Sequence, residues 1–274
     1  MSTLSRALPV LLLLAAAAPQ ARAQAAPSDS VLRGFQRSGI RILVVNGQED
    51  KGAEIYLNEN IPAYLILPGA PSALSPILLT PRAQTVETVS LAKVVRQKDG
   101  TADLLADAVL TPQGGFKVEG EKVTFTVEGK QLVLAPNPPL LGLKTSADLK
   151  AHHPEYARKA EAYKPDPAAL QALRKTAKPV NVRVFFGSWC PFCREHVPLL
   201  LKVEDELRAA KSSKIHFEYY GMPHDFNDLE VKRLNIKTVP TAVITLDGRE
   251  IGRMQAADWD VPEATLAKIL AASP

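Results

Sequence analysis

The feature that most constrains this chain is Trp189-Cys190-Pro191-Phe192-Cys193, which joins a strand-like run at 180–186 to a helical pattern over 191–210. A cysteine at the first turn of a helix lies near free backbone N–H groups and the positive end of the helix dipole. Both favour thiolate over thiol. Two intervening residues place the second cysteine one turn further on, within reach of a disulfide formed at the first. We therefore expect Cys190 to be the nucleophile and Cys193 the resolving thiol.

The cysteine count limits the other uses of this motif, because the chain has only 2 Cys in 274 residues. A zinc site needs about four ligands, and no second cysteine pair exists. Attachment of c-type haem needs a histidine after the second cysteine, where this chain has Arg194. An inert structural disulfide would close too short a loop to constrain the unfolded chain much. We expect a redox-active dithiol that uses no metal and no other cofactor.

The N-terminus has the pattern of a secretory signal peptide. Arg6 precedes an apolar run at 7–18, and the small-x-small site Ala21-Arg22-Ala23 follows. The run of 12 residues is shorter than the roughly 20 that a membrane-spanning helix needs, which disfavours the alternative of a retained anchor. We expect a signal peptide over 1–23, export to the periplasm, and no stable membrane anchor after cleavage.

The charge of the chain does not indicate a nucleic-acid partner. The formal net charge is +4, and basic residues are interspersed with acidic ones, as in 202–206. Such a distribution is typical of a solvated protein surface.

Residues 24–143 contain short apolar or alternating runs broken by Gly and Pro, which predict a mostly antiparallel β domain. Candidate strands lie at 40–45, 64–67 and 86–95. The clearest hairpin pairs 122–127 with 131–134 around a Gly-containing turn. No His or Cys occurs before His152, so we expect structural support, or a binding or dimerisation surface, from this domain.

Residues 144–178 predict a helical connector after the proline-rich segment 135–139. Ser146 is the expected cap of a helix over 147–163, and Asp166-Pro167 the start of a second helix. The adjacent His152 and His153 point apart on a helix, so we expect exposed or interdomain histidines and no metal site.

Residues 179–274 show the order β-α-β-α-β-β-α, which predicts a mixed sheet flanked by helices. The expected strands are 180–186, 215–220, 241–246 and 250–254, with helices at 191–210, 227–234 and 262–271. Asp247-Gly248 is the turn between the last two strands.

On these residues, the segment 180–271 resembles the thioredoxin superfamily, in which a WCxxC ends a central strand and begins a helix. Pro198 falls at the family's helix-kinking proline, Thr238-Val239-Pro240-Thr241 at its cis-proline loop, and Gly248 at its hairpin glycine. The resemblance covers about a third of the chain. It implies a thioredoxin-like α/β domain, with a central mixed sheet flanked by helices, preceded by a mostly antiparallel β domain.

The resemblance also implies thiol-disulfide exchange with protein substrates. Val239 and Pro240 would offer the backbone to the substrate chain, and we expect Trp189 and Phe192 to form an apolar rim around the sulfur. The charges of Arg194 and Glu195, next to Cys193, can raise or lower the local potential, but we expect them, like His196, to be exposed helix residues.

One position departs from the family in a way that affects the expected proton transfer. Thioredoxins carry a buried acid six residues before the first cysteine, where this chain has Val184. Glu218, His224 and Asp225 are candidates to replace that acid as the proton acceptor.

The pair Pro191-Phe192 is similar to the Pro-aromatic pair of glutaredoxins, and an exported thioredoxin-like domain with extra structure resembles the reductases of cytochrome c maturation. We expect a reductase or isomerase kept reduced by a membrane partner. The alternative is a peptide-binding or dimerising β domain with the thioredoxin-like domain as a docking element.

Overall fold

The structure is a computed structural model that describes residues 32–58, 60–211 and 214–273. The expected signal peptide over 1–23 lies outside the described residues. Strands of the N-terminal part are β1 (Phe35–Arg37), β2 (Arg41–Val45), β3 (Gln48–Glu49), β4 (Glu54–Asn58), β5 (Ala63–Leu67), β6 (Ile77–Thr80), β7 (Thr85–Thr88), β8 (Val94–Arg96), β9 (Thr101–Leu104), β10 (Thr111–Gly114), β11 (Phe116–Glu119), β12 (Lys122–Val127) and β13 (Lys130–Pro136).

These strands form two antiparallel sheets, with the orders β10-β7-β6-β5-β4-β1-β9-β8 and β11-β12-β13-β2-β3. Side chains alternate across each strand, so β5 directs Ile66 into the core between the sheets and Leu65 into a second core on the other face. The predicted hairpin forms around Glu128 and Gly129, which have φ of 48° and 76°, the left-handed region that a two-residue turn requires.

The predicted strand 86–95 is wrong, because the chain changes sheet position within it. β7 pairs with β6 and β10, whereas β8 pairs with β9 at the opposite edge of the eight-stranded sheet. A short 3-10 turn at Leu91–Lys93 makes the crossing.

The connector contains three helices, α1 (Ser146–His152), α2 (Pro154–Ala162) and α3 (Pro167–Arg174). The prediction of Ser146 as a cap is wrong. Thr145 is the N-cap, because its Oγ1 accepts from the N–H of Asp148 at 3.2 Å and the Asp148 carboxylate accepts from the Thr145 N–H at 2.8 Å.

The predicted single helix over 147–163 is also wrong, because Pro154 interrupts it. Proline lacks an N–H and disfavours helical backbone at the preceding residue, and His153 has φ −122° and ψ 87°. The start at Asp166 is confirmed, since its carboxylate accepts from the N–H of Ala168 at 2.9 Å.

The C-terminal part contains β14 (Gly142–Lys144), β15 (Val180–Phe186), α4 (Pro191–Ala209), β16 (Ile215–Gly221), α5 (Leu229–Arg233), β17 (Thr241–Leu246), β18 (Arg249–Met254) and α6 (Pro262–Ala271). The sheet order is β14-β16-β15-β17-β18, with β15 and β16 parallel and the other pairs antiparallel. A large apolar core that includes both cysteines covers one face, and a smaller core around Phe185 and Val243 covers the other. The strand that precedes the dithiol therefore lies at the centre of the sheet.

Two boundaries differ from the sequence predictions. Gly142 and Leu143, placed in the N-terminal domain by sequence, belong to β14, which pairs with β16. Three residues are too few to produce an alternation signal. Helix α5 starts later than predicted, because the Asp228 carboxylate accepts from the N–H groups of Glu230 and Val231 and so caps it.

Among the described residues, no helix combines the length and the apolar character needed to cross a membrane.

Candidate functional site

The two cysteines lie at the N-terminus of α4 and are both free thiols. Cys190 is the N-cap, with extended backbone at φ −80° and ψ 120°, and Pro191 occupies the first helical position. The N–H of Cys193 donates to the Sγ of Cys190 at 3.4 Å. The sulfur thus takes the place that a capping oxygen has in other helices.

This geometry separates the acidities of the two thiols. The hydrogen bond from the Cys193 side chain lowers the pKa of Cys190 to about 6; burial opposes the shift, and the N–H groups of Cys193 and Phe192 and the charge of Arg194 add to it. Burial, followed by the interaction with Cys190, raises the pKa of Cys193 well above its ordinary value. At neutral pH, Cys190 is a thiolate and Cys193 a thiol, which suits attack by the first and later resolution by the second.

The loop before β17 faces the dithiol. The Val239-Pro240 peptide bond is cis, Pro240 is buried, and the Sγ of Cys190 lies 3.8 Å from the carbonyl oxygen of Val239. The hydroxyl of Thr241 donates to the carbonyl of Thr238 at 2.8 Å and closes the loop. The structure therefore places the cis-proline loop against the sulfur of Cys190.

Trp189 and Phe192, which we expect to form an apolar rim, lie one residue before and two residues after Cys190. Trp189 is half-buried, and its Nε1–H donates to the carbonyl of Met222 at 3.0 Å. Gly187 makes room for the indole, because a Cβ there would lie 2.5 Å from the ring. Phe192 is 41% exposed, so its ring is an apolar surface open to a partner.

The candidate replacements for the missing acid are separated by the fold. Val184 is fully buried in apolar core. Glu218 pairs with Arg183 at 2.8 Å, and Asp225 accepts from the N–H of Asn227 at 2.9 Å. Of the three candidates, His224 reaches the rim, where its ring stacks on Trp189 with centroids 4.0 Å apart.

The helix residues after Cys193 are not all exposed. Glu195 pairs with Lys159 at the surface. His196, expected to be exposed, is partly buried, because its ring stacks on Phe192 at 3.9 Å and its Nε2 lies 3.2 Å from the Asp260 carboxylate. The His196 ring therefore packs against one face of the exposed Phe192 ring.

A buried cluster on α2 was not found by sequence reasoning. The Nε2–H of His153 donates to the carbonyl of Ser188 at 2.8 Å, and its Nδ1 lies 3.2 Å from Glu155. The Glu155 carboxylate also accepts from the N–H of Gly39 at 3.0 Å. A chain of contacts thus links the β1–β2 bend to the backbone two residues before Cys190. Of the two alternatives expected for His153, exposed or interdomain, the exposed one is wrong, because the residue is buried at the break between two helices and contacts Ser188.

The same cluster contains two further buried groups. Burial raises the pKa of Glu155, but the contacts from His153 and the Gly39 N–H outweigh it and leave the pKa lowered. Tyr156 is fully buried in the core that holds the cysteines, and its hydroxyl has no hydrogen-bond partner among the described residues. Burial, followed by the electrostatic interaction with Cys193, raises the pKa of Tyr156. The hydroxyl therefore stays protonated.

Within the described parts of the chain, no group of three or more His, Cys, Asp and Glu side chains is arranged to hold a metal ion.

Comparison with known proteins gave distant likenesses. No protein-family model and no curated protein matches the chain. A crystal structure of an HIV epitope scaffold is similar at 14% identity and a TM-score of 0.39, over 48% of this chain and 94% of the scaffold. A Pseudomonas aeruginosa protein of unknown function is similar at 16% identity and a TM-score of 0.33, over 43% and 79% of the two chains. Likenesses this distant assign neither a fold nor a function.

Proposed function

We propose that this protein is an exported thiol-disulfide oxidoreductase that exchanges disulfides with protein substrates through Cys190 and Cys193. The observation that carries the proposal is the Cys190 sulfur: it caps α4, accepts the N–H of Cys193 at 3.4 Å, and has a pKa of about 6. Thiol-disulfide exchange of this kind requires a thiolate at neutral pH and a second thiol close to it, here one helical turn away.

A thioredoxin-like assignment of residues 179–274 has support from the arrangement around the dithiol. The strand that precedes Cys190 is central in a five-stranded sheet, and helices cover both faces. The cis Val239-Pro240 bond lies opposite the sulfur, as the resemblance in sequence implies.

In the proposed reaction, the Cys190 thiolate attacks one sulfur of a substrate disulfide. That disulfide bond breaks, a mixed disulfide forms, and one substrate sulfur leaves as a thiolate. Cys193 then gives up its proton and attacks the Cys190 sulfur, which releases the second substrate thiolate. The substrate gains two electrons and the protein ends with a Cys190–Cys193 disulfide. Of the two protons needed to form substrate thiols, one is the proton released by Cys193 and the other comes from solvent, because Cys190 enters as a thiolate.

The proposed direction is reduction or isomerisation in an oxidising compartment such as the periplasm. This direction rests on the Pro191-Phe192 pair, which is similar to that of glutaredoxins. It also requires a partner that returns electrons to the oxidised site, and we propose that this partner is a membrane protein. A measured redox potential well below about −120 mV, the value of a strong exported oxidant, would support this direction.

The function is tested by catalysis of disulfide reduction in a protein substrate. Catalytic amounts of the full chain, with dithiothreitol as electron source, should accelerate the reaction, and the folded Cys190→Ser variant should not. If that variant kept the wild-type rate, the proposal would be wrong. If it lost the rate but kept full biological activity, the β domain would be the working part, as a binding or dimerising module.

A further inference from the structure

A groove lies between the first turns of α4 and the N-terminal part of the chain. Its volume is about 620 Å³. One wall comes from β1 and the following bend, through Gln36, Arg37 and Ser38; the other comes from α2, through Arg158 and Lys159. Pro191, Phe192 and Arg194, from the first turn of α4, also line the groove. A chain bound in this groove would contact Pro191 and Phe192, the two residues between the cysteines in the sequence.

The two walls are held together by buried contacts. The N–H of Gly39 donates to the Glu155 carboxylate at 3.0 Å, and Gly39 packs so closely that an added Cβ would lie 2.1 Å from the carbonyl oxygen of His152. The carbonyl of Gly39 accepts from the Asn137 side chain at 2.8 Å. The groove is therefore a preformed part of the fold.

The lining carries positive charge that the described protein groups do not neutralise. Two of its four cations have anionic partners: Arg37 pairs with Glu54 and Lys159 with Glu195. The Glu155 carboxylate accepts from the N–H of Gly39 and lies 3.2 Å from the Nδ1 of His153, and it makes no ion pair with Arg158 or Arg194.

The other two cations, Arg158 and Arg194, have no anionic partner among the described residues. Arg158 donates to the neutral Gln36 side chain at 2.7 Å. Its charge contributes to the lowered pKa of Asp99, but the two groups form no ion pair within 4.0 Å. Arg194 makes no ion pair within the described residues, and its Nε is buried without a partner. Its charge acts on the Cys190 thiolate.

We propose that this groove binds an acidic segment of the substrate polypeptide, with Arg158 and Arg194 as the selecting charges and Phe192 as the apolar contact beside the disulfide. The inference rests on the proposed function and names its substrate class. Guanidinium groups bind carboxylates through paired N–H donors, and an unneutralised cationic groove raises the encounter rate with anionic chains. It also gives the β domain a role, as one wall of the substrate site.

The test uses the reduced full-length chain and two synthetic cystine peptides of equal length and identical core, one flanked by Asp and the other by Lys. The rate of Cys190–Cys193 oxidation is measured for each peptide. The Asp peptide should react about tenfold faster at low salt, and high salt should shrink the ratio. Equal rates for the two peptides, or a ratio of rates that does not change with salt, would overturn the inference.

The variants Arg158→Gln and Arg158→Glu locate the effect. Removal of the charge should slow the Asp peptide about threefold, and reversal should slow it by more while it speeds the Lys peptide. Arg82→Gln, at an exposed position outside the groove, should change neither rate. If Arg158→Gln altered both peptides by the same factor, Arg158 would not select charge.

A neutral small disulfide, hydroxyethyl disulfide, separates this inference from the proposed function. The wild type and the control Arg82→Gln should react with it at equal rates, because the dithiol is unchanged and Arg82 lies outside the groove. If the wild type failed to react with any disulfide, the proposed function itself would fall. Reaction with the small disulfide but no preference between peptides would overturn the acidic-segment inference alone.

Discussion

The backbone N–H of Cys193 donates to the Sγ of Cys190 at 3.4 Å, so the proposed resolving residue also stabilises the thiolate of the proposed nucleophile. The Cys193 side chain is the largest single cause of the low Cys190 pKa. The two thiols therefore act as a coupled pair.

This coupling predicts that two substitutions of Cys193 change the pKa of Cys190 to different extents. Cys193→Ala removes the side-chain donor and should raise the pKa of Cys190 above about 6. Cys193→Ser keeps a donor and should leave the pKa closer to the wild-type value. The pH dependence of Cys190 alkylation by iodoacetamide measures both. Identical midpoints for the alanine variant and the wild type would contradict the coupling.

The stability of the reduced protein should depend on pH through the same sulfur. Because the folded pKa of Cys190, about 6, lies below its ordinary 9.0, its contribution is fully present above pH 9 and is lost as pH falls through 6. Cys193, with a raised folded pKa, contributes below pH 9 and loses that contribution above it.

The unfolding free energy of the reduced wild type, relative to Cys190→Ala, should therefore grow between pH 6 and pH 9. Urea midpoints under reducing conditions measure this difference. A difference that stays constant across the range would show that the Cys190 thiolate is not favoured by the fold.

The contact between the β1–β2 bend and the helices predicts a severe effect of Gly39→Ala. The added Cβ would lie 2.1 Å from the carbonyl oxygen of His152, and we expect a loss of about 1–3 kcal/mol in unfolding free energy. The control is Gly115→Ala, where the exposed site leaves 3.3 Å and the change should stay within about 0.5 kcal/mol. Equal losses in chemical denaturation would refute the close contact.

Tyr156 and Tyr219 provide a matched pair of buried hydroxyls. The Tyr156 hydroxyl has no partner among the described residues, so Tyr156→Phe should leave stability unchanged or raise it by about 1 kcal/mol. The Tyr219 hydroxyl donates to the buried Glu204 carboxylate at 2.7 Å, so Tyr219→Phe should cost about 1–3 kcal/mol. Thermal unfolding of both variants measures the two stability changes. A larger loss of stability for Tyr156→Phe than for Tyr219→Phe would show that the Tyr156 hydroxyl is hydrogen-bonded.

Local signals in the sequence predicted much of the dithiol region. Asp247 and Gly248 lie in the left-handed region that the hairpin turn requires, and β15, β17 and α6 have the predicted bounds. Each of these depends on a few neighbouring residues, such as a turn pair, a cap or an apolar run, so one sequence contains the information.

The features that sequence reasoning missed depend on contacts between distant segments. His153 is buried because it meets Ser188, 35 positions away, and Glu155 because it meets Gly39, 116 positions away. The cationic groove likewise combines Arg158 with Gln36 across 122 positions. No local pattern encodes such pairings, although Pro154 after two histidines was a sign that the helix would break there.

The most direct test of the central claim is the capture of substrates by the Cys193→Ser variant. Without a resolving thiol, Cys190 should remain joined to its clients in mixed disulfides that dithiothreitol releases. Mass spectrometry of the purified complexes should place every bond at Cys190, and Cys190→Ser should capture nothing. If Cys193→Ser formed no mixed disulfides, or if Cys190→Ser captured the same proteins, Cys190 would not be the attacking thiolate of a disulfide exchange enzyme.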